Sequence, residues 1–202
     1  MTGFWRLVAL AAAIAGGARG SDPVHLLLIP ESPVDAGVLA SFEQETERLF
    51  GPVGIEVNLA LMPEVVHTAG PGQAISLYWS GDCSDFRETA PSRAAAVLAF
   101  VEAEGALIRP VVRVYCDRVA GLLSASSEEL GPHDARALFG RALARVAAHE
   151  VYHYLTQTPE HRHSALFSRV INRETLTRSG VGFDAQERHL LRQALVIRPW
   201  VL

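Results

Sequence analysis

The spacing of apolar residues divides the chain into a strand-rich first half and a largely helical second half. A continuous apolar run at 24–29, closed by Pro30, predicts a buried strand. Val38, Leu39, Phe42, Leu49 and Phe50 recur at helical spacing with Glu43, Glu45, Glu47 and Arg48 on the other face, which predicts an amphipathic helix. Val53, Ile55, Val57, Leu59 and Leu61 then alternate with other residues, the period of a half-buried strand. Segments 74–79, 95–101 and 111–116 predict three more strands, the last entered through Pro110. Residues 118–123 suit one or two helical turns before a polar loop at 124–131.

From Asp134 the chain is rich in alanine, leucine and arginine, with no β-branched run and no internal proline, so a long helix is expected. Leu138, Phe139, Ala142, Val146, His149 and His153 follow one stripe of it; Pro132 and Asp134 mark its start and Pro159 its latest stop. Asp184 and Glu187 have the spacing of a capping box that opens a further helix through Leu195, with Leu190, Leu191, Ala194 and Leu195 inward and His189 at the surface. The apolar tail 196–202 is expected to pack back on the domain. Strand, helix, several strands, then the long helix make an α/β (α+β) fold, a mostly N-terminal mixed sheet packed on helices. There is no repeat and no linker, 69–72 reading as a loop, so residues 21–202 form a single domain.

The first twenty residues have the form of a secretory signal: Arg6, an apolar stretch at 7–14, and a small-residue exit before Ser21. No segment approaches the ~20 apolar residues of a membrane span, so a secreted or periplasmic protein is expected. The formal charge of −4 becomes −6 when Arg6 and Arg19 are removed with that signal, which leaves no basic footprint for nucleic acid. Cys83 and Cys116, an even pair in an exported chain, predict one disulfide; their spacing fits neither a zinc ribbon nor a C-x-x-C motif.

His149-Glu150-Val151-Tyr152-His153 is an H-E-x-x-H pentapeptide at the end of the long helix. Four residues of separation put both imidazoles on one helical face, where they can share a zinc ion, with Glu150 close enough to take a proton from water. A third ligand is sought just past Pro159, where His161 and His163 stand beside Glu160.

These residues resemble the zincin metallopeptidases, on the metzincin-like side, whose pattern is H-E-x-x-H-x-x-G-x-x-H followed by a methionine turn. His149, Glu150 and His153 match; Thr156 stands at the glycine position and Pro159 at the third histidine. The chain is also similar to uncharacterised exported bacterial zincin-like proteins carrying H-E-x-G-H-Y-L-L, then a histidine and a small-Leu-Met stretch. Residues 149–155 and 161–167 match that arrangement, with Tyr152 for glycine and Phe167 for methionine, and 114–119 looks like the same group. The resemblance implies a zincin-like fold, a zinc cofactor, peptide or protein substrates, and peptide-bond hydrolysis with Glu150 as general base. In a gluzincin arrangement the third ligand is instead a glutamate, and Glu174, 21 positions after His153, answers to it. His161, Glu174, His163 and Glu160 stay open for that role. The rival readings are a catalytically silent zinc-binding module and a metal-free secreted binding domain.

Overall fold

A computed structural model describes residues 23–62, 73–84, 86, 97–124, 130–162, 164 and 166–197, without the side chains of 196 and 197. The expected signal, the loop at 69–72, His163 and most of the apolar tail lie outside the described residues.

Five strands form one mixed sheet: β1 (Val24–Pro30), β2 (Val57–Leu61), β3 (Gln73–Ser80), β4 (Ala99–Glu104) and β5 (Leu107–Tyr115), in the order β2-β1-β3-β5-β4. β1 is parallel to β2 and β3, and β3 to β5; β4 alone runs antiparallel, on the edge beside β5. The helices are α1 (Ala36–Phe50), α2 (Cys116–Leu123), α3 (Pro132–Thr156), α4 (Arg173–Thr177) and α5 (Ala185–Ile197). Among the described residues no helix is long and apolar enough to cross a membrane.

Three boundaries depart from the pattern of the sequence. Val53 and Ile55 are buried as their alternation suggests, yet they precede β2, because Gly51–Val53 forms a 3-10 turn ended by Gly54 at φ +84°. β4 begins at Ala99 and runs to Glu104, later than expected, and Gly105 (φ +62°) turns it directly into β5. β5 therefore starts at Leu107 and contains Pro110. A strand proline is tolerated where ladder bonds are interrupted; Pro110 precedes Val111, where pairing to β3 begins, and faces the irregularity at Val101/Ala103 of β4.

The long helix is buried on every side along 142–153, so it is a central helix, packed beyond the one stripe that the periodicity picks out. Its alanines permit that close fit. At Gly140 a Cβ would run into the Val38 carbonyl oxygen and lie 2.9 Å from the Ser41 Cβ, so α1 and α3 cross where only hydrogen fits. Arg145, fully inside, donates Nε to Glu45 of α1 (2.6 Å) and Nη1 to the carbonyls of Thr175 (2.8 Å), Leu176 (3.1 Å) and Arg178 (2.7 Å). A buried charge survives only with such partners, and this set fixes α3 against α1 and α4.

Two further ties set the two ends of the site. Cys83 and Cys116 are joined, Cα to Cα 5.2 Å, linking the exit of β3 to the start of α2 across 33 positions. Closing a loop of that length contributes about 3–4 kcal/mol in the chain-entropy account. At its other end α3 stops at Gln157, a left-handed residue without being glycine (φ 52°). The Gln157 amide holds that conformation: Nε2 donates to Tyr154 O (2.8 Å) and Ile108 O (2.9 Å), and Oε1 accepts from the Ile108 N–H (3.0 Å). The last turn of α3, which carries His153, is thereby fastened to β5.

Candidate metal centre

His149 and His153 stand one turn apart on α3, and each ring has one nitrogen already committed. Nδ1 of His149 meets the Leu166 carbonyl at 2.8 Å, and Nδ1 of His153 meets the Thr158 carbonyl at 2.6 Å. A carbonyl only accepts, so each neutral ring carries its proton on Nδ1 and leaves a bare lone pair on Nε2. Those two Nε2 atoms are 3.1 Å apart in a buried setting. Facing lone pairs repel unless a cation lies between them, and a carbonyl behind a ligating imidazole is the usual support of a metal site.

His161 closes the group. Its ring centroid is 5.2 Å from that of His149 and 4.9 Å from that of His153, and one ligand nitrogen from each of the three lies within 4.8 Å of the others. Nitrogens at ~2.0–2.1 Å from a tetrahedral zinc stand ~3.3 Å apart, so the His149–His153 pair already has the spacing of a small borderline cation, and His161 would draw in to complete the set. Among the described residues the three histidines are a group that can hold a metal ion.

The loop after α3 brings His161 back. The Arg162 N–H donates to Phe167 O (2.9 Å), the Phe167 N–H donates to Ser164 Oγ (3.1 Å), and Ser164 Oγ donates to Glu187. Glu187 is the capping-box carboxylate of α5: its Oε2 accepts from the Asp184 N–H (2.7 Å), while its own N–H donates to Asp184 Oδ1 (2.8 Å). The loop that carries the Leu166 carbonyl and His161 is thus tied to the start of α5. Beneath it Phe167 stacks on His149 (centroids 5.0 Å, 13° between planes), with Tyr152 4.0 Å and Phe183 5.7 Å from it. Tyr152 and Phe167, two of the residues that depart from the resembling patterns, pack against each other as the floor of the site.

Burial sets the electrostatics. It pushes His149 down to about 4, helped by the neighbouring His153 and His161, and it also lowers His153 and His161, the latter with help from Arg169. All three rings are therefore neutral, as ligands must be. Burial raises Glu150 from 4.5 to about 7, opposed by a backbone hydrogen bond from Val101 of β4. Glu150 and the three histidines line one cleft of about 770 Å³, whose opposite wall is β4.

Of the other proposed donors, His163 lies outside the described residues, and neither Glu174 nor Glu160 joins the group. Glu174 lies on α4, exposed, paired with Arg178 (3.3 Å), and it lines a separate cavity of about 250 Å³. Glu160 is exposed beside the histidines' loop, and His189 sits on the outer face of α5. Val101 and the carbonyls of Thr158 and Leu166 were not legible as site residues, because backbone groups leave no mark in a sequence, and Gln157 was not, because its amide acts on β5, 49 positions away. Arg169 was readable only as one arginine among many.

Fold and site together define a mixed α/β domain with a three-histidine group able to hold a metal. No family model matches the chain, and no curated protein matches it. Among solved structures, archaemetzincin from Methanopyrus kandleri is similar, with a TM-score of 0.48 and 14% identity, over 88% of this chain and 98% of that one.

Proposed function

We propose that the chain is an exported zinc-dependent peptidase in which His149, His153 and His161 hold the metal and Glu150 is the general base. The observation that carries this is the pair of Nε2 lone pairs 3.1 Å apart, each ring locked by a carbonyl behind it, with a third imidazole alongside. The three histidines line an open cleft of about 770 Å³, so a zinc ion held by them would have room for water or substrate, as catalytic zinc requires and closed structural zinc does not. Zinc held there supplies Lewis acidity, polarising a scissile carbonyl and acidifying water. Glu150, one residue along the helix from His149 and facing the same cleft, takes the proton of the attacking water on its carboxylate and returns it to the leaving amine. Among the described residues β4 is an edge strand of the sheet along the cleft, its Val101 N–H reaching Glu150, and an extended peptide would pair with the rest of such an edge. The Cys83–Cys116 disulfide supports an oxidising destination.

A silent zinc-binding module would share the metal and differ at Glu150, which a purely structural site has no reason to hold in the cleft. The test is a peptide library digested with zinc-loaded wild type and Glu150→Gln, read by mass spectrometry beside metal analysis. One zinc per chain in both proteins, with hydrolysis lowered on the order of 10²–10⁴-fold in the variant, is expected. Equal hydrolysis by the two, or zinc content unchanged in His149→Ala, would overturn the assignment.

A further inference from the structure

Apart from its histidines and Glu150, the cleft is walled by apolar side chains, Asn172 and two arginines, Arg118 and Arg169. Among the described residues Glu150 is its only acid, although the chain as a whole is acidic at −4. Arginines lining a cleft in a molecule of net negative charge attract anions to that cleft. Arg118 is partly engaged: Nη1 donates to the Val97 carbonyl (2.6 Å) and the guanidinium lies 3.9 Å over the Tyr115 ring. Arg169 forms no ion pair or hydrogen bond among the described residues, and its charge is felt at His161, the ligand-bearing rim. Next to it stands Val170, 62% exposed, and Val97, 59% exposed, lines the same cleft; these are two of the three large hydrophobic side chains left in solvent among the described residues. Exposed apolar residues that gather at one concave site mark a binding surface.

We propose that the cleft selects peptides carrying a carboxylate beside an apolar side chain, with Arg169 receiving the carboxylate and the Val97–Val170 rim receiving the apolar group. This rests on the peptidase reading and names its substrate class. A guanidinium receives a carboxylate through two parallel N–H donors, which gives orientation as well as attraction. The carboxylate is either an acidic side chain or the free C-terminus of the peptide; both present the same two oxygens.

The test measures binding separately from hydrolysis. Zinc-loaded Glu150→Gln protein is titrated with fluorescent peptides in which glutamate is exchanged for glutamine and the C-terminus is free or amidated. A charged form should bind on the order of tenfold tighter than its neutral counterpart, with the gap shrinking at high salt. Which exchange produces the gap identifies the source of the carboxylate. In Arg169→Gln the gap should close, and in Arg169→Glu it should reverse. The ratio is read within each variant, so a general loss of affinity does not move it. Equal affinity for all the peptides, binding of none, or a preference untouched by Arg169→Gln overturns the proposal. Failure of wild type to cleave the peptides that bind would count against the peptidase reading and leave the selectivity standing.

Discussion

Removing the proposed general base should stabilise the metal-free protein, and only at high pH. Glu150 is buried among apolar neighbours, with a folded-state pKa raised from 4.5 to about 7. A group whose pKa is raised on folding contributes fully below its unfolded value and loses that contribution as pH rises, here between 4.5 and about 7. Above that window the ionised carboxylate costs the fold about 3 kcal/mol at 1.36 kcal/mol per pKa unit, an upper figure because the cleft admits water. Glutamine has the same shape, keeps an oxygen for the Val101 N–H and never ionises. Wild type and Glu150→Gln, both stripped with chelator, should therefore have matching stabilities at pH 4 and differ by up to about 3 kcal/mol in favour of the variant at pH 8. His149, lowered to about 4, loses stability in the opposite direction, as pH falls from 6.5, but it is present in both proteins and cancels in the comparison. Urea denaturation followed by circular dichroism reads the difference, provided the slope with denaturant stays constant. A gap of equal size at both pH values, or a variant less stable at pH 8, would refute the burial argument. Zinc should narrow the gap, since a divalent cation beside the carboxylate favours its ionised form.

Zinc should stay bound at pH 6.5 and be lost on further acidification, because burial holds all three rings below the ordinary imidazole range; dialysis and elemental analysis would show it, and complete loss by pH 6.5 would contradict it. Arg145→Met should cost about 3–5 kcal/mol of stability, since it strands Glu45 and three carbonyls inside the protein. A loss under about 1 kcal/mol in urea would mean that Arg48 alone satisfies Glu45. Gly140→Ala should destabilise by about 1–3 kcal/mol although alanine is the better helix former by about 1 kcal/mol, because the added methyl meets the α1 backbone; a rise in melting temperature would show that α1 yields freely.

What the sequence disclosed and what it withheld follow one division. His149, Glu150 and His153 were legible because helical geometry alone brings i and i+4 together, and the capping box at Asp184 and Glu187 was legible because it closes within four residues. The hairpin between β4 and β5 was missed, since Gly105 turns inside what reads as two separate apolar runs. The third imidazole stayed open among four residues because its position depends on bonds between distant segments: Arg162 to Phe167 within the loop, Ser164 to Glu187 from loop to α5, and Gln157 to Ile108 from α3 to β5.

Those distant bonds also explain how Tyr152 and Phe167 can replace the smaller and more flexible residues of the resembling pattern without opening the site. The floor beneath His149 is a stack of three aromatic rings, Tyr152, Phe167 and Phe183, all deeply buried, and a stack of that kind holds one arrangement where a flexible thioether would adapt to several. His149 is then fixed on two sides, by the ring of Phe167 below and the Leu166 carbonyl behind. His161 has neither support: it is exposed, and among the described residues it has no hydrogen bond. The geometry of the centre therefore divides into two rigid donors and one adaptable one, so metal affinity should respond far more to Phe167→Ala, which removes the support of a rigid donor, than to substitutions on the outer surface of the His161 loop.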